Sequence, residues 1–206
     1  MTVSPLDRDS ARKAAEALGV PEGMTRLSVF QVLLRHPALA KPFNDLLMCL
    51  LFSGSLDVRL RELVIMRMGW VTGSVYEWTQ HWGIAQVLGI DPDDLLAVRD
   101  WHSAPASQFT PVDRAALAAV DDVASCGYIS PTTWVAVEEA LPDRADQVEL
   151  AMLVSTYAAV SVFLRSLEVP LEEGVEPWPP DGLDPGRATP PESPAAAVAP
   201  NPPTDL

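Results

Sequence analysis

The sequence has few of the residues that redox and metal sites require. Its two cysteines, Cys49 and Cys126, lie 77 positions apart and form no CxxC pair. Reduced thiols are therefore expected rather than a disulfide framework. Only three histidines occur, and their wide spacing argues against a histidine-based metal site. The sequence has no glycine-rich phosphate loop, GxSxG or HExxH motif, so it predicts neither a metal nor a bound cofactor.

Positive charge is scarce as well. The chain has 14 Lys and Arg against 28 Asp and Glu, with a formal net charge of -14. Since no basic stripe occurs, we expect no nucleic acid and no anionic membrane among its partners. The longest apolar run, residues 46–52, is too short to cross a bilayer, and residues 1–9 do not resemble a signal peptide. A soluble, cytoplasmic protein is the expectation.

Prolines are concentrated near the C-terminus. Eleven of the 20 lie in residues 170–206, together with seven acidic residues and a single basic residue, Arg187. This segment has too few large apolar side chains to offset the entropy of ordering it. We therefore predict one helical domain over residues 1–169, followed by a disordered, acidic, proline-rich tail over residues 170–206.

Apolar residues recur at helical spacing, and no segment alternates as a β-strand does, so we predict an all-α helical bundle. Two helices carry the functional argument. The first follows Asp57 and ends at Gly73. The second begins at Ser74, has Glu77 three residues later as in a capping box, and ends at Gly89. Further helices are predicted over about 10–18, 28–35, 41–52, 92–99, 111–126, 131–141 and 143–168.

Three titratable residues fall on faces of these two helices that should meet the core. Glu77 and His81 are four residues apart, and their stripe continues into Leu88. Glu62, on the first helix, stands among apolar residues where another apolar side chain would be cheaper to bury. The spacing also fits an exposed Glu–His pair of little energetic value. Because the stripe is apolar, we favour a buried polar network or the floor of a pocket.

Four aromatic residues cluster in the same helical hairpin: Trp70, Tyr76, Trp78 and Trp82. Core packing is the usual role of aromatic residues at helical spacing. Trp78 and Trp82 lie on a face beside His81, so a pocket wall and a subunit contact are further possibilities. The sequence leaves these three roles open.

Other polar residues are weaker candidates. His36 precedes a proline and His102 follows a tryptophan in a predicted loop, so both are interpreted as exposed or capping histidines. Arg59 and Arg61 are interpreted as part of a solvated face, although either guanidinium could hold a substrate carboxylate.

Residues 56–98 resemble the carboxymuconolactone decarboxylase and alkylhydroperoxidase D-like superfamily. The shared pattern is an Arg-Glu-Leu start in one helix, a histidine in the next, and then an alanine, a glycine turn and an acidic helix start. In this chain the pattern is formed by Arg61-Glu62-Leu63, His81, Ala85, Gly89-Ile90 and Asp93-Asp94. The resemblance implies a helical bundle of the alkylhydroperoxidase D-like type. It also implies homo-oligomers, commonly trimers or hexamers, with pockets near the subunit contacts.

The peroxidase branch of this superfamily carries its redox thiols as a CxxC pair before the histidine. The matching positions here are Ser74 and Glu77, so the resemblance argues against thiol-peroxidase chemistry in this chain. Glu62 and His81 do match the relay that activates the thiol. The YEWxxH pattern of residues 76–81 resembles the thiol-free branch.

These residues favour a cofactor-free acid–base enzyme of the decarboxylase, dehydratase or isomerase type, acting on a small unsaturated carbonyl or lactone compound. His81 would carry the proton, because imidazole titrates near neutral pH. Glu62 would orient His81 or act as a second acid–base group. Glu77 would be the third group, and its nearness to Glu62 would raise one carboxyl pKa. The predicted substrate contacts are Ser74, Trp70, Tyr76, Trp78 and Trp82.

Two other functions stay open from the sequence. One is a non-catalytic, oligomeric binding or scaffold protein that recruits a partner through the acidic tail. The other is thiol redox activity through Cys49 or Cys126, which ranks last because neither cysteine lies near His81 in the sequence.

Overall fold

In the described part of the chain, six of the nine α-helices begin at a residue whose side chain accepts a backbone N–H of the first turn. The computed structural model describes residues 3–179, 181 and 183, and within them it contains nine α-helices and no strand. The predicted all-α architecture is therefore confirmed. The helices are α1 (Arg8–Leu18), α2 (Ser28–Leu33), α3 (Pro37–Phe52), α4 (Val58–Thr72), α5 (Val75–Val87), α6 (Pro92–Ala97), α7 (Pro111–Cys126), α8 (Pro131–Ala140) and α9 (Arg144–Ser166).

The ends of α4 and α5 agree with the sequence, but one predicted cap is absent. Asp57 begins α4 by accepting two backbone N–H groups of the first turn, and Gly73 ends it in the left-handed conformation with φ 72°. Ser74 begins α5, yet its side chain makes no capping hydrogen bond. The predicted capping box with Glu77 is not formed, because Glu77 turns into the core rather than back toward the start of the helix.

Helix α3 begins earlier than the sequence pattern predicts. It starts at Pro37 rather than near residue 41, because a proline at the first helical position loses no hydrogen bond. The earlier start lengthens the apolar face that α3 presents to the bundle.

Helix α4 lies at the centre of the fold. Residues 60–69 are all buried, and the helix packs against α5, α7 and α9. One apolar cluster joins it to α1, α2, α3, α7 and α9, and a second joins it to α5, α6 and the loop before α7. Since α4 has no solvated face along this stretch, a charged residue such as Glu62 must find its partners inside the protein.

Helix α9 is 23 residues long and, by length and composition alone, is apolar enough to cross a membrane. However, 50% of its most apolar window is buried inside the bundle. Leu150, Leu153 and Val154 of this helix belong to the main core. The core helix of a soluble protein passes the same test, so the length of α9 is weak evidence for a membrane span.

Part of the predicted tail contacts the helices through a few of its side chains, and we call residues 170–179 the strap. Glu172 accepts hydrogen bonds from α2 and α5. Trp178 stacks on Trp82 with ring centroids 3.9 Å apart. The domain thus extends about ten residues beyond the predicted boundary at 169, because one carboxylate and one indole find specific partners. Apart from residues 181 and 183, the rest of the predicted tail lies outside the described residues.

The close approach of α4 and α5 predicts opposite effects of alanine at two helical glycines. A Cβ at Gly69 would lie 3.2 Å from the backbone nitrogen of Trp78. Gly69→Ala should therefore push the helices apart and destabilise the fold by about 1–3 kcal/mol. An added Cβ at exposed Gly83 meets no described atom within 4 Å, so Gly83→Ala should stabilise α5 by about 0.5–1 kcal/mol. Urea unfolding measures both effects, and equal stability of the two variants would contradict this packing.

Candidate active site

Glu62 of α4 and His81 of α5 meet inside the bundle. Glu62 Oε2 lies 2.7 Å from His81 Nδ1, although the residues are 19 positions apart in the sequence. Glu62 is 0% exposed and His81 is 7% exposed. A carboxylate from one helix and an imidazole from the next thus form a sheltered hydrogen-bonded pair.

The negative charge of Glu62 is stabilised from two sides. Burial by itself raises the pKa of this carboxyl, but the charge and hydrogen bond of His81, together with Arg61, bring it below its ordinary value. Arg61 Nε donates to Glu62 Oε1 over 3.2 Å. A carboxylate held in this way fixes the orientation and the tautomer of the imidazole.

The other ring nitrogen of His81 faces α9. Tyr157 Oη lies 3.4 Å from His81 Nε2, and the two rings meet edge to face with centroids 5.4 Å apart. When Nδ1–H is donated to Glu62, Nε2 carries a lone pair and accepts a long hydrogen bond from the Tyr157 hydroxyl. Burial raises the pKa of Tyr157 well above its ordinary value, and negative charge on Glu77 and Glu62 at the high pH where a tyrosine ionises adds to this effect. The hydroxyl therefore keeps its proton.

Glu77 is a second buried carboxyl in a different environment. It is 2% exposed, so the interpretation of Glu77 and His81 as an exposed pair is wrong. Ser161 Oγ donates to Glu77 Oε2 over 2.7 Å. The other oxygen, Oε1, has no hydrogen-bond partner among the described residues and lies near Gly69.

The pKa of Glu77 is raised well above its ordinary value by burial, and the hydrogen bond from Ser161 only partly opposes this effect. The cause is burial rather than the predicted nearness of Glu62. A raised pKa favours the protonated, neutral form of a carboxyl. The pKa values of the two buried carboxyls of this site are therefore shifted in opposite directions.

Glu77, His81 and Tyr157 line one cavity of about 210 Å³. Its remaining walls come from α2, α3, α9 and the turn before α2, and most of them are apolar. The apolar lining includes Val29, Phe30, Leu47, Met48, Leu51 and Val160. A mostly apolar cavity with a few converging polar groups is the usual form of a small-molecule site.

Comparison with known proteins finds a family that part of the chain matches. Residues 37–122 match the model of the Carboxymuconolactone decarboxylase family. The matched range contains Glu62, Glu77 and His81, and the resemblance predicted from the sequence is confirmed. No curated protein sequence matches the chain significantly.

Solved structures with the same fold match this chain at low sequence identity. A variant of the debrominase Bmp8 in complex with 2,3,4-tribromopyrrole matches with a TM-score of 0.66 and 16% identity, over 84% of this chain and 92% of that chain. The alkylhydroperoxidase AhpD core of an uncharacterised peroxidase-related protein from Ralstonia eutropha JMP134 matches with a TM-score of 0.63 and 16% identity. That match covers 82% of this chain and 87% of the other. These similarities establish the alkylhydroperoxidase D-like fold.

The predicted substrate contacts lie in two different regions of the protein. Tyr76 lines the cavity. Trp70, Trp78 and Trp82 lie instead in the second apolar cluster, between α5 and α6. Ser74 is buried but does not line the cavity. Trp78 of α5 is fully buried in this cluster, and Trp70 of α4 and Trp82 of α5 are partly buried against it.

The other candidate residues lie away from the cavity. Arg59 is held by the carboxylates of Asp94 and Asp113. Within residues 3–179, 181 and 183, no cluster of three or more His, Cys, Asp or Glu could hold a metal ion. Four further candidates are exposed at the surface: His36, His102, Cys49 and Cys126.

Sequence reasoning does not identify Tyr157 and Ser161, which complete the site from α9. They lie four residues apart and so share one face of that helix. Ser161 is 0% exposed and Tyr157 is 3% exposed. The sequence offers one signal for them: both carry a hydroxyl on a face of α9 that is otherwise apolar.

The buried carboxyl of Glu77 predicts a specific pH dependence of stability. Because its folded pKa is raised above the unfolded value, its contribution is fully present below the unfolded pKa and is lost as pH rises through the folded pKa. Over that window the free energy of unfolding should fall by up to about 1.4 kcal/mol per pH unit relative to the Glu77→Gln variant. Urea unfolding of both proteins between pH 5 and 9 measures the divergence. A difference that stays constant with pH would contradict a protonated Glu77.

Proposed function

We propose that the chain is a cofactor-independent acid–base enzyme of the decarboxylase, dehydratase or isomerase type. Its substrate would be a small unsaturated carbonyl or lactone compound. One observation carries the proposal: His81 lines an apolar cavity while its Nδ1 is bound, at 2.7 Å, to a fully buried carboxylate. A histidine oriented by a carboxylate, with its other nitrogen at a ligand cavity, has the geometry of a general base.

His81 is the base in this mechanism. Its Nε2 takes a proton from the carbon next to the substrate carbonyl, and the electron pair of that C–H bond moves toward the carbonyl oxygen. The imidazolium that forms faces the carboxylate of Glu62, which stabilises the new positive charge. Return of the proton to another carbon completes an isomerisation. In a decarboxylation, loss of carbon dioxide generates the carbanion, and protonated His81 supplies its proton.

The oxygen that gains negative charge needs a neutral hydrogen-bond donor, and the cavity offers two. Tyr157 keeps its proton, because burial raises its pKa. The substrate replaces the long contact between this hydroxyl and His81 Nε2, which frees Nε2 to act as the base and the hydroxyl to donate to the substrate oxygen. Glu77 keeps its proton because burial raises its pKa, and it lines the same cavity. A neutral donor in a site that excludes water stabilises charge on oxygen more strongly than it would in bulk water.

The lining of the cavity supports a small, largely apolar substrate. The fold comparison points in the same direction, since the debrominase with this fold was solved with 2,3,4-tribromopyrrole, a small unsaturated ring. A substrate of that general size would place its reactive carbon beside His81 and its apolar body against α2 and α3.

A non-catalytic binding or scaffold role is the second candidate, since an apolar cavity would serve it too. Binding alone does not require two buried carboxyls and an imidazole, which are costly to bury. Thiol redox activity ranks third, because both cysteines are exposed and neither lines the cavity.

Proton exchange at carbon tests the proposal before the natural substrate is known. The protein should accelerate the exchange of α-hydrogens of a small cyclic ketone with D₂O, followed by proton NMR, because Nε2 of His81 removes such protons. His81→Ala should slow this exchange by about 10²–10⁴-fold. His102→Ala removes an exposed histidine and serves as the control. If the native protein fails to accelerate exchange for a panel of cyclohexenones and unsaturated lactones, or if His81→Ala exchanges as fast, the acid–base proposal is wrong.

We also propose that the chain forms homo-oligomers, as the family resemblance implies. Phe52 is 76% exposed and Val87 is 90% exposed. Both lie in surface grooves that include Ile84, a residue of the cavity wall. Apolar surface of this kind favours a subunit contact.

A charge placed on this surface should weaken the association. Val87→Asp is expected to lower the molar mass measured by light scattering, because a carboxylate would be buried in an apolar contact. Val135→Asp, at a 54% exposed valine of α8, is the matched control and should keep the native mass. If Val87→Asp keeps the native molar mass, this surface does not form the subunit contact.

A further inference from the structure

Glu172, in the strap, gathers hydrogen bonds from three separate positions of the bundle. Its Oε1 accepts from the backbone nitrogen of Ser28 over 2.7 Å and from Tyr76 Oη over 2.6 Å. Its Oε2 accepts from Gln80 Nε2. The Tyr76 hydroxyl in turn accepts from the backbone nitrogen of Val29 over 3.3 Å. This hydroxyl is therefore used both as a donor and as an acceptor.

Two of these partners are cavity residues. Tyr76 and Gln80 line the cavity, whereas Glu172 does not. The polar ends of both side chains are thus bound to a carboxylate outside the cavity. The apolar parts of Tyr76 and Gln80 face the cavity, next to apolar neighbours such as Ile84. The polar groups that remain available to a ligand are those of Glu77, His81 and Tyr157.

We propose that Glu172 sets the ligand selectivity of the cavity by holding the Tyr76 hydroxyl and the Gln80 amide away from the ligand. The inference rests on the proposed function in one respect, that the cavity binds a small molecule. The ligand that fits the native protein carries no polar group on the side facing Tyr76 and Gln80. Its polar atoms lie only on the side facing His81.

The physical basis is the cost of a buried donor without a partner. Removing Glu172 leaves the O–H of buried Tyr76 without an acceptor in the wall of an apolar cavity, and it also releases the amide of half-buried Gln80. A ligand hydroxyl placed there satisfies one of them, whereas a methyl group of the same size satisfies neither. The strap therefore acts on specificity although it touches no reacting atom.

The experiment compares two probes of nearly equal shape, p-xylene and p-cresol, which differ by a methyl group and a hydroxyl. Their affinities are measured by NMR titration for the native protein, Glu172→Ala and Glu172→Gln. The ratio of p-cresol to p-xylene affinity should rise about fivefold to tenfold in Glu172→Ala, which corresponds to one neutral hydrogen bond. Glu172→Gln keeps a carbonyl acceptor for Tyr76, so its ratio should stay close to the native one.

A merely structural role for Glu172 would weaken both probes equally and leave the ratio unchanged, and this result would overturn the inference. Failure of the native protein to bind either probe would instead count against a small-molecule cavity, and so against the proposed function as well. Tyr76→Phe gives an independent check, because Glu172 keeps its hydrogen bonds with Ser28 and Gln80 in this variant. It should change the affinity for p-cresol less than twofold, and a larger loss would show that the Tyr76 hydroxyl already contacts the ligand.

Discussion

The hydrogen bond between Glu62 and His81 is the constraint on which the site depends. It joins the central helix α4 to α5 at 2.7 Å inside the protein, where neither group can be solvated. Because α4 is buried on every side, Glu62 retains its charge only with His81 and Arg61 beside it. The same bond orients the imidazole, so that its second nitrogen meets Tyr157 at the cavity. This one hydrogen bond thus pairs the buried charge of Glu62 and orients the imidazole of His81.

Two carboxyls in one small site have pKa values that are shifted in opposite directions, because their surroundings differ. The pKa of Glu62 lies below its ordinary value, since a cation and an imidazole face it, whereas the pKa of Glu77 lies far above, since burial meets only one hydroxyl. An ionised carboxylate is suited to supporting an imidazolium. A neutral carboxyl is suited to donating a hydrogen bond to an oxyanion. The two environments differ because α4, α5 and α9 place different partners beside each carboxyl.

The sequence predicts the local parts of this structure better than the distant ones. Helical spacing and caps identify the α4–α5 hairpin, and the apolar stripe around Glu77 and His81 signals their burial. Tyr157 reaches His81 from 76 positions away, and Glu172 reaches Tyr76 from 96 positions away, so no periodicity within one helix reveals them. Trp70, Trp78 and Trp82, which the sequence predicts as substrate contacts, lie outside the cavity for a related reason. Spacing tells which residues share a face, but not which of two apolar clusters that face meets.

The most direct test of the account is the state of the His81 ring in solution. With the ring labelled with nitrogen-15, NMR should show a proton on Nδ1 that exchanges slowly with water, because Glu62 binds it in the protein interior. Glu62→Gln should speed that exchange. An Nδ1 proton that exchanges in the native protein as fast as that of a solvated histidine would contradict the buried pair, and with it the assignment of His81 as an oriented base.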